Sequence, residues 1–515
     1  MSEKSISEKT KLKNKEHSLQ KNDLITLEIT DLTEEGQGVG KKDGLVFFVK
    51  DSVMGDMIEA RILKVKKNYA YAKVEKLLEA SPYRITPLCP VAGKCGGCQL
   101  QHLSYEKELA WKEDRIAQSL IRIAGLSPEE VESKKEEILG GVLSRYRNKA
   151  QYPVQSRKEI RSGGGTSVSD GKVDGKWPIK NKTEAKEKSS DLSMGFYGFH
   201  SHRIIETEDC LINSAENPLI LNCIKEWARE YKISGYEEET GKGLLRHIFL
   251  RKGFSTGEIL LCLVINGKNL PHGKELWERL QDLSLSVEES RQVQGRIVGL
   301  CMNINEGRGN AILGRETLCL YGKDSIEDKI GELSFSISVP SFYQVNPVQT
   351  EKIYGKALEY AALTGEETVW DCYCGIGTIS LFLAQKAKQV YGLEIVPEAI
   401  ENAKKNAEKN GLHNTEFYVG AAEEVLPKWV EEKKQELSAK GADCGIGDMV
   451  DVVSLDPPRK GCDEACLSAV LELSPKRIVY VSCDPGSLAR DMKYLREGGY
   501  TLEKWVGIDN FPRTG

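Results

Sequence analysis

Cys483 stands in Val479-Tyr480-Val481-Ser482-Cys483-Asp484-Pro485, just past an apolar run of strand character, and a second such run ends at Asp456-Pro457-Pro458-Arg459. In an open α/β sheet, ligands collect at the carboxyl ends of the strands, so a thiol and a carboxylate at two successive strand ends face one crevice. A nucleophile beside a substrate-orienting acid is the simplest chemistry for that pair. A free cysteine is more often a small buried hydrophobe, so the catalytic reading of Cys483 depends on what precedes it.

What precedes it has the layout of a cofactor site. The strand pattern Thr368 to Tyr373 leads into Asp371-Cys372-Tyr373-Cys374-Gly375-Ile376-Gly377-Thr378, and the helical run Ile379 to Lys386 follows. The glycines let the backbone turn tightly and approach a ligand closely. A second strand, Gln389 to Leu393, ends at Glu394, a little over ~20 residues after Asp371, the separation at which an acid meets ribose hydroxyls in nucleotide-binding βαβ units. The glycines do not spell G-x-G-x-x-G, so a phosphate cradle is not indicated. An adenosine cofactor without pyrophosphate fits, and S-adenosylmethionine is one.

Gln344-Val345-Asn346, the Asp371 to Thr378 loop, Asp456-Pro457-Pro458-Arg459, Ser482-Cys483-Asp484-Pro485 with Leu488-Ala489-Arg490-Asp491, and Phe511-Pro512-Arg513-Thr514 closely resemble the RNA (uracil-5-)-methyltransferase family. The motifs span roughly the last third of the chain. The resemblance implies an α/β fold with a carboxyl-terminal Rossmann-like class I methyltransferase domain. It implies that Gln344, Tyr373, Glu394 and Asp456 line the cofactor and base sites and that Cys483 is the nucleophile. Cys372, in place of an apolar residue, and Asp484, where Asn is frequent, depart mildly from the pattern.

Uracil C5 is a poor nucleophile. A thiolate adding at C6 turns C5 into an enolate carbon that can attack a sulfonium methyl group, after which a base removes the C5 proton and the thiol leaves. Cysteine suits the first step because its thiolate is strongly nucleophilic, and a helix start after Pro485 or Arg459 could favour the thiolate. A base stacked in a helix cannot reach such a site and must be flipped out.

The elements that position these residues follow from length and pattern. At 515 residues two to four domains are expected. A composition 40% hydrophobic and 29% charged is globular, and a net charge of -5 restricts RNA binding to local patches. No apolar stretch approaches the ~18 residues that span a bilayer, and the lysine-rich Met1 to Gln20 lacks an apolar signal core, so a cytoplasmic protein without a membrane association is expected. After a flexible tail over 1–20, residues 21–80 alternate short β runs with glycine turns: Leu24 to Leu32, Gly36 to Gly40, Leu45 to Val49, Ile58 to Lys66 and Tyr69 to Val74. These predict a small OB-type β-barrel, which resembles a TRAM domain. The run Arg61 to Lys73 holds cations and two tyrosines but no acid, suited to RNA phosphates and bases or to an ordinary solvated hairpin.

Residues 81–330 read as a β-rich central domain. Tyr105 to Ala124 has helical apolar spacing. From Arg145 the chain is basic, with Arg147, Lys149, Arg157, Lys158 and Arg161 against the single acid Glu159 and with Tyr146 and Tyr152 interleaved, so a phosphate-contacting hairpin competes with a solvated strand pair. A Gly, Ser and Lys-rich segment, about 162–193, reads as a flexible insertion, and Glu431 to Asp448 as a second polar insertion. Strand runs are expected at Met194 to Ile205, His247 to Leu250 and Ile259 to Asn266. The methyltransferase domain takes up 331–515.

Cys89, Cys95 and Cys98 place three thiols around two glycines, dense enough to wrap one metal centre. The family pattern of three clustered cysteines and a distant fourth makes Cys210 the best candidate for the remaining ligand. A 4Fe-4S cluster is expected first and zinc second, since four thiolates satisfy either. The activity implied by the resemblance is S-adenosylmethionine-dependent uracil C5 methylation of RNA, with 23S rRNA favoured over tRNA. An amino-methylating enzyme would carry an aromatic residue where Arg459 stands and needs no thiol, while a two-cysteine cytosine enzyme would carry a Cys within Asp456 to Arg459. An iron-sulfur RNA-binding protein with an inactive catalytic domain is the non-enzyme alternative. In the resembled family Phe-Pro-x-Thr continues to a glutamate base and a final strand, so the sequence, ending at Gly515, is expected to be truncated and to release product slowly.

Overall fold

The computed structural model describes residues 19–157, 192–207, 209–286, 293–439 and 449–515. It divides into two units, Met1–Glu108 with Arg513–Gly515, and Leu109–Pro512.

In the first unit, β1 (Leu24–Glu28), β2 (Asp31–Leu32), β3 (Gly38–Lys42), β4 (Leu45–Lys50), β5 (Met57–Val65) and β6 (Tyr69–Glu79) form one sheet in the order β1-β5-β6-β4-β3-β2. Period-two burial puts Ile25, Leu27, Phe47, Val49, Ile58, Ala60, Ile62 and Ala70 in its core. β1 and β2 occupy opposite edges, yet only Ile29 and Thr30 separate them; Ile29 N donates to Asp56 O (2.9 Å) and Thr30 N to Val39 O (2.8 Å). The sheet therefore curls until its edges meet, giving a barrel, and the run expected as one strand from Leu24 to Leu32 breaks where it changes partner. A Cβ on Gly40 would come within 2.5 Å of Glu28 O, so only glycine permits the crossing.

In the second unit, α1 (Tyr105–Arg122), which enters from the first, and α2 (Pro128–Ser133) precede β7 (Lys149–Ser156), β8 (Leu192–Tyr197) and β9 (Ile204–Glu206). Then come α3 (Asn217–Glu230), β10 (Leu245–Lys252), β11 (Glu258–Ile265), α4 (Gly273–Gln281), β12 (Arg296–Ile304) and β13 (Glu316–Gly322). The seven strands form a mixed sheet in the order β13-β12-β11-β10-β7-β8-β9. One face buries Tyr152, Ile248, Leu261 and Leu300 against Ile224 and Trp227 of α3 and Leu276 of α4. The other face contributes Phe249, Leu260, Cys262 and Cys301 to a core shared with the elements that follow. Residues 162–191 of the expected insertion lie outside the described residues, while Leu192 and Ser193 begin β8.

Those following elements are the hairpin β14 (Ser325–Ile330) and β15 (Leu333–Ser338), α5 (Pro347–Ala361), β16 (Thr368–Cys372), α6 (Thr378–Ala384), β17 (Gln389–Glu394), α7 (Pro397–Lys409), β18 (Thr415–Val419), α8 (Ala422–Ala439), β19 (Val452–Leu455), α9 (Glu464–Leu473), β20 (Arg477–Tyr480) and α10 (Pro485–Glu497). Five of these strands make an all-parallel sheet, β18-β17-β16-β19-β20. Both faces are covered, which is why the strands read as apolar runs rather than alternating ones: Val369 joins the α5, α6 and α7 side, whereas its neighbour Trp370 packs with Trp429 of α8 and Leu467 of α9. Strand order reverses at the β16/β19 boundary, the switch point where ligands bind in doubly wound sheets. The segment from Glu431 to Ala439, expected within a polar insertion, is instead the end of α8, and 440–448 lie outside the described residues.

Candidate active site

Four strand ends carry the candidate residues. After β16 the backbone turns through Tyr373 (φ 69°), Gly375 (φ 56°) and Gly377 (φ 83°) into α6. Left-handed φ costs glycine little. A Cβ on Gly375 would meet nothing within 4 Å, while one on Gly377 would come 3.1 Å from the Ala403 side chain, so one glycine leaves open space above the turn and the other lets α7 pack beneath it. Glu394, at the end of β17, accepts from Gly375 N (3.3 Å) and Val396 N (3.0 Å), which fixes its carboxylate beside that space. A left-handed turn, an open face and an acid at the neighbouring strand end suit an adenosine ligand. Tyr373 supplies one left-handed residue of the turn, and burial, with the Cys466 and Cys462 thiols, pushes its phenol up.

Beneath the turn, Asp371 is fully buried; its Oδ2 accepts from Ser380 Oγ (2.5 Å), and among the described residues its Oδ1 has no hydrogen-bond partner. Burial pushes its carboxyl up to about 7 against the opposing effects of Ser380 and of Ser454, which lies near but whose Oγ also makes no hydrogen bond. Asp456, one residue past β19, is half-buried, and burial followed by the charge of Asp371 pushes it up to about 7 as well. Two carboxyls raised to about 7 at a switch point are candidates for a functional site. Tyr354 of α5 completes the group: its hydroxyl bonds Thr378 Oγ1 (2.9 Å), and its phenol is driven up by burial and by Asp456.

Cys483 lies three residues beyond β20, tied to the Asp456 strand end by Val481 N donating to Leu455 O (2.8 Å). Asp484 caps α10, its Oδ1 accepting from Ser487 N (2.7 Å), so Cys483 sits at the positive end of a helix dipole. Among the described cysteines, only Cys319 and Cys483 are exposed. A buried structural thiol is therefore not what Cys483 is. The Arg490 and Asp491 motif holds the loop after Asp456-Pro457-Pro458-Arg459: buried Asp491 Oδ2 accepts from Cys462 N (2.8 Å) and Tyr480 Oη (2.6 Å), while Arg490 Nη2 donates to Lys460 O (2.8 Å) and Cys462 O (3.0 Å). Two strand ends are thus locked together by one pair of side chains.

Gln344 lies before α5, its backbone oxygen accepting from Asn148 Nδ2 (2.9 Å), and Asn346 caps that helix. Sequence reasoning passed over Phe342, which stands two residues before Gln344 and is 69% exposed. Its ring is accessible beside the site segment, a property that only the fold reveals.

The remaining metal candidates behave differently. Cys89, Cys95 and Cys98 lie half-buried in an irregular stretch of the first unit, where Gly97 N donates to Cys95 Sγ (3.4 Å) and burial raises the Cys95 thiol. Cys210 lies in the second unit, between β9 and α3. Among the described residues, no group of three or more His, Cys, Asp and Glu side chains is drawn together to hold a metal. No chemical step is routed through a cluster here.

A doubly wound sheet with an acid-lined turn at its switch point and an exposed cysteine two strands away has the layout of a site for a nucleotide-type cofactor. Residues 316–515 match the tRNA (Uracil-5-)-methyltransferase family model, and residues 19–74 match the TRAM domain. An uncharacterized RNA methyltransferase of Clostridium acetobutylicum is 44% identical over 96% of both chains, and one of Halalkalibacterium halodurans is 43% identical over 96% of this chain and 95% of its own. The crystal structure of a Pyrococcus abyssi tRNA (uracil-54, C5)-methyltransferase in complex with S-adenosyl-L-homocysteine shares the fold, with a TM-score of 0.65 at 24% identity over 95% of this chain and 97% of that one. The chain belongs to the RNA (uracil-5-)-methyltransferase family and carries an amino-terminal TRAM domain.

Proposed function

We propose that this chain methylates C5 of a uracil in RNA, with S-adenosylmethionine as methyl donor and Cys483 as nucleophile. The observation that carries the reading is the exposed Cys483 at a helix start, beside a strand end bearing Asp456. The turn from Tyr373 to Gly377 and the Glu394 carboxylate are the residues that would hold the cofactor, which supplies an electrophilic methyl on a sulfonium. Cys483 forms a bond to C6, and the π electrons of C5=C6 move toward C5 and O4. Asp456, titrating near 7, is neutral in enough molecules to donate a hydrogen bond to O4 as charge develops there. C5 would then take the methyl, the sulfonium leaving as the neutral thioether of S-adenosylhomocysteine; a base would remove the C5 proton, and the C6–S bond would break to return the thiolate. The resemblance gives the proton to a glutamate.

The favoured substrate is 23S rRNA, with tRNA the alternative, and a cytoplasmic setting goes with either; among the described residues, no helix is long and apolar enough to cross a membrane. On donor chemistry and the family pattern alone, Cys89, Cys95, Cys98 and Cys210 are proposed as ligands of a 4Fe-4S cluster, with zinc as the alternative. The barrel is proposed to hold single-stranded RNA. On its outer face Phe48, Tyr69 and Tyr71 stand with ring centroids 5.6–5.9 Å apart, flanked by Lys50 and Lys73 at the next cross-strand pair, as base-stacking platforms require. The test is to treat 23S rRNA and tRNA transcripts with labelled cofactor and map the product, in parallel with Cys483→Ala. Abolished transfer with cofactor affinity retained, and covalent capture of 5-fluorouracil RNA by the unaltered protein, are expected. Substantial turnover by the Ala variant removes Cys483 from the role.

A further inference from the structure

The basic run beginning at Arg145 does not behave uniformly. Burial alternates from Arg145 to Ala150, with Tyr146, Asn148 and Ala150 buried and Arg145, Arg147 and Lys149 half-buried between them. At the ends of the run the charges are neutralised: Arg145 binds both oxygens of Asp209 (2.7 and 2.5 Å), and Arg157 both oxygens of Glu206 (2.7 Å each). In the middle they are not. Among the described residues, Arg147 and Lys149 have neither an ion pair nor a side-chain hydrogen bond; Arg147 lies only against the Phe511 ring, 5.8 Å from its centroid.

A third cation shares this face. Arg251 pairs directly opposite Lys149 across β10 and β7, and such cross-strand partners point to the same side of a sheet. It is buried and donates Nη1 to Ser338 O (3.1 Å) and Ser341 O (3.0 Å), but among the described residues its Nε has no acceptor. Burial, with help from the charges of Arg251 and Arg147, holds the Lys149 ammonium down to about 8. Three like charges without a carboxylate are costly in the free protein, and a bound anion is what relieves them.

The run is also stitched to the catalytic segments. Asn148 Nδ2 donates to Gln344 O (2.9 Å), Asn148 N to Val345 O (2.8 Å) and Tyr146 Oη to Pro512 O (2.9 Å). Whatever anion the cations hold lies beside the residues expected to receive the target base. A zwitterionic cofactor has one carboxylate, fewer negative charges than this face has cations, whereas an RNA strand brings successive phosphates. Resting on the uracil-methylation reading, we infer that Arg147 and Lys149 form an RNA phosphate subsite that grips the backbone next to the flipped uridine.

Salt dependence tests this directly, because each phosphate contact contributes roughly 0.7–0.9 to the slope of log affinity against log salt. The probes are a 23S rRNA transcript and bulk tRNA, titrated over a KCl series with the protein and its Arg147→Gln, Lys149→Met and Lys149→Arg variants. S-adenosylhomocysteine affinity is measured alongside and reports that each variant is folded. Arg147→Gln and Lys149→Met should each weaken RNA binding about fivefold to tenfold and lower the slope by about one contact, with cofactor affinity within about twofold; Lys149→Arg should keep the slope. An unchanged slope makes the pair an ordinary solvated face and overturns the inference. Weakened cofactor binding with the RNA slope intact overturns it too, by assigning the cations to the cofactor carboxylate. Production of 5-methyluridine with the slope unchanged refutes the subsite alone, whereas a slope that depends on both residues without any 5-methyluridine refutes the function and leaves the subsite standing.

Discussion

Asp371→Asn should stabilise the catalytic sheet at high pH and not at low pH. The Asp371 carboxyl sits at about 7 in the folded chain against an ordinary 3.8, a rise of about 3 units, and each unit corresponds to ~1.4 kcal/mol. The folded state therefore binds more protons than the unfolded state between those values, so stability falls as pH rises through that window. Above pH 7 the loss reaches on the order of 4 kcal/mol. The amide removes this penalty and keeps an acceptor for Ser380 Oγ, whose 2.5 Å bond loses its charge-assisted part, a loss of roughly 1–2 kcal/mol. A net gain of about 2 kcal/mol is expected at pH 8, and no gain or a slight loss at pH 5. Guanidinium unfolding, followed through the fluorescence of Trp370 and Trp429 packed around β16, gives both values; the variant-minus-wild-type difference cancels the carboxylates that do not feel Asp371, and the added relief of Asp456 from the Asp371 charge has the same sign. A difference that does not grow between pH 5 and pH 8 refutes the argument that burial, unrelieved at Oδ1, sets this carboxyl.

Phe342→Ala removes an exposed ring and no core contact, so folding and cofactor affinity should hold while RNA methylation falls by about tenfold or more through lost stacking of the flipped base; activity within twofold of the unaltered chain would make Phe342 a bystander. Anaerobically purified protein should be brown, with about four irons and four sulfides per chain, and colourless protein with stoichiometric zinc would favour the alternative metal. Cys483→Ala should fail to form the covalent complex with 5-fluorouracil RNA that the unaltered chain forms, and residual capture would point to a second thiol.

The catalytic sheet was legible because a parallel sheet buries both faces. The runs at Val369, Val390, Val452 and Val479 are continuous apolar blocks closed by residues that cannot continue a strand, namely Gly375, Pro457 and Pro485. The barrel was legible in its β content but not in its strand count, since the change of partner at Ile29 and Thr30 is a tertiary event that leaves no local signal. The end of α8 was misread for a related reason. The charged run after Trp429 looks like a loop when no partner face is visible, yet it extends a helix already anchored by Leu426 and Trp429 in the core.

The site divides the same way. Chain order and residue type singled out Tyr373, Glu394, Asp456 and Cys483 as candidates, because a strand end followed by a turn is a local pattern. Residues that act by being unsatisfied were invisible to that reasoning. Arg145, Arg147, Lys149 and Arg157 look alike in the sequence, and only the positions of Asp209 and Glu206 separate the paired cations from the unpaired ones. Asp371 and Asp456 read simply as acids, whereas burial, and for Asp456 also the charge of Asp371, raises both carboxyls toward neutrality. In this family member sequence supplies candidate reacting groups and folding sets their strengths, so the functional electrostatics must be sought in what the described residues leave without a partner: the Asp371 Oδ1, the Arg251 Nε and the ammonium of Lys149.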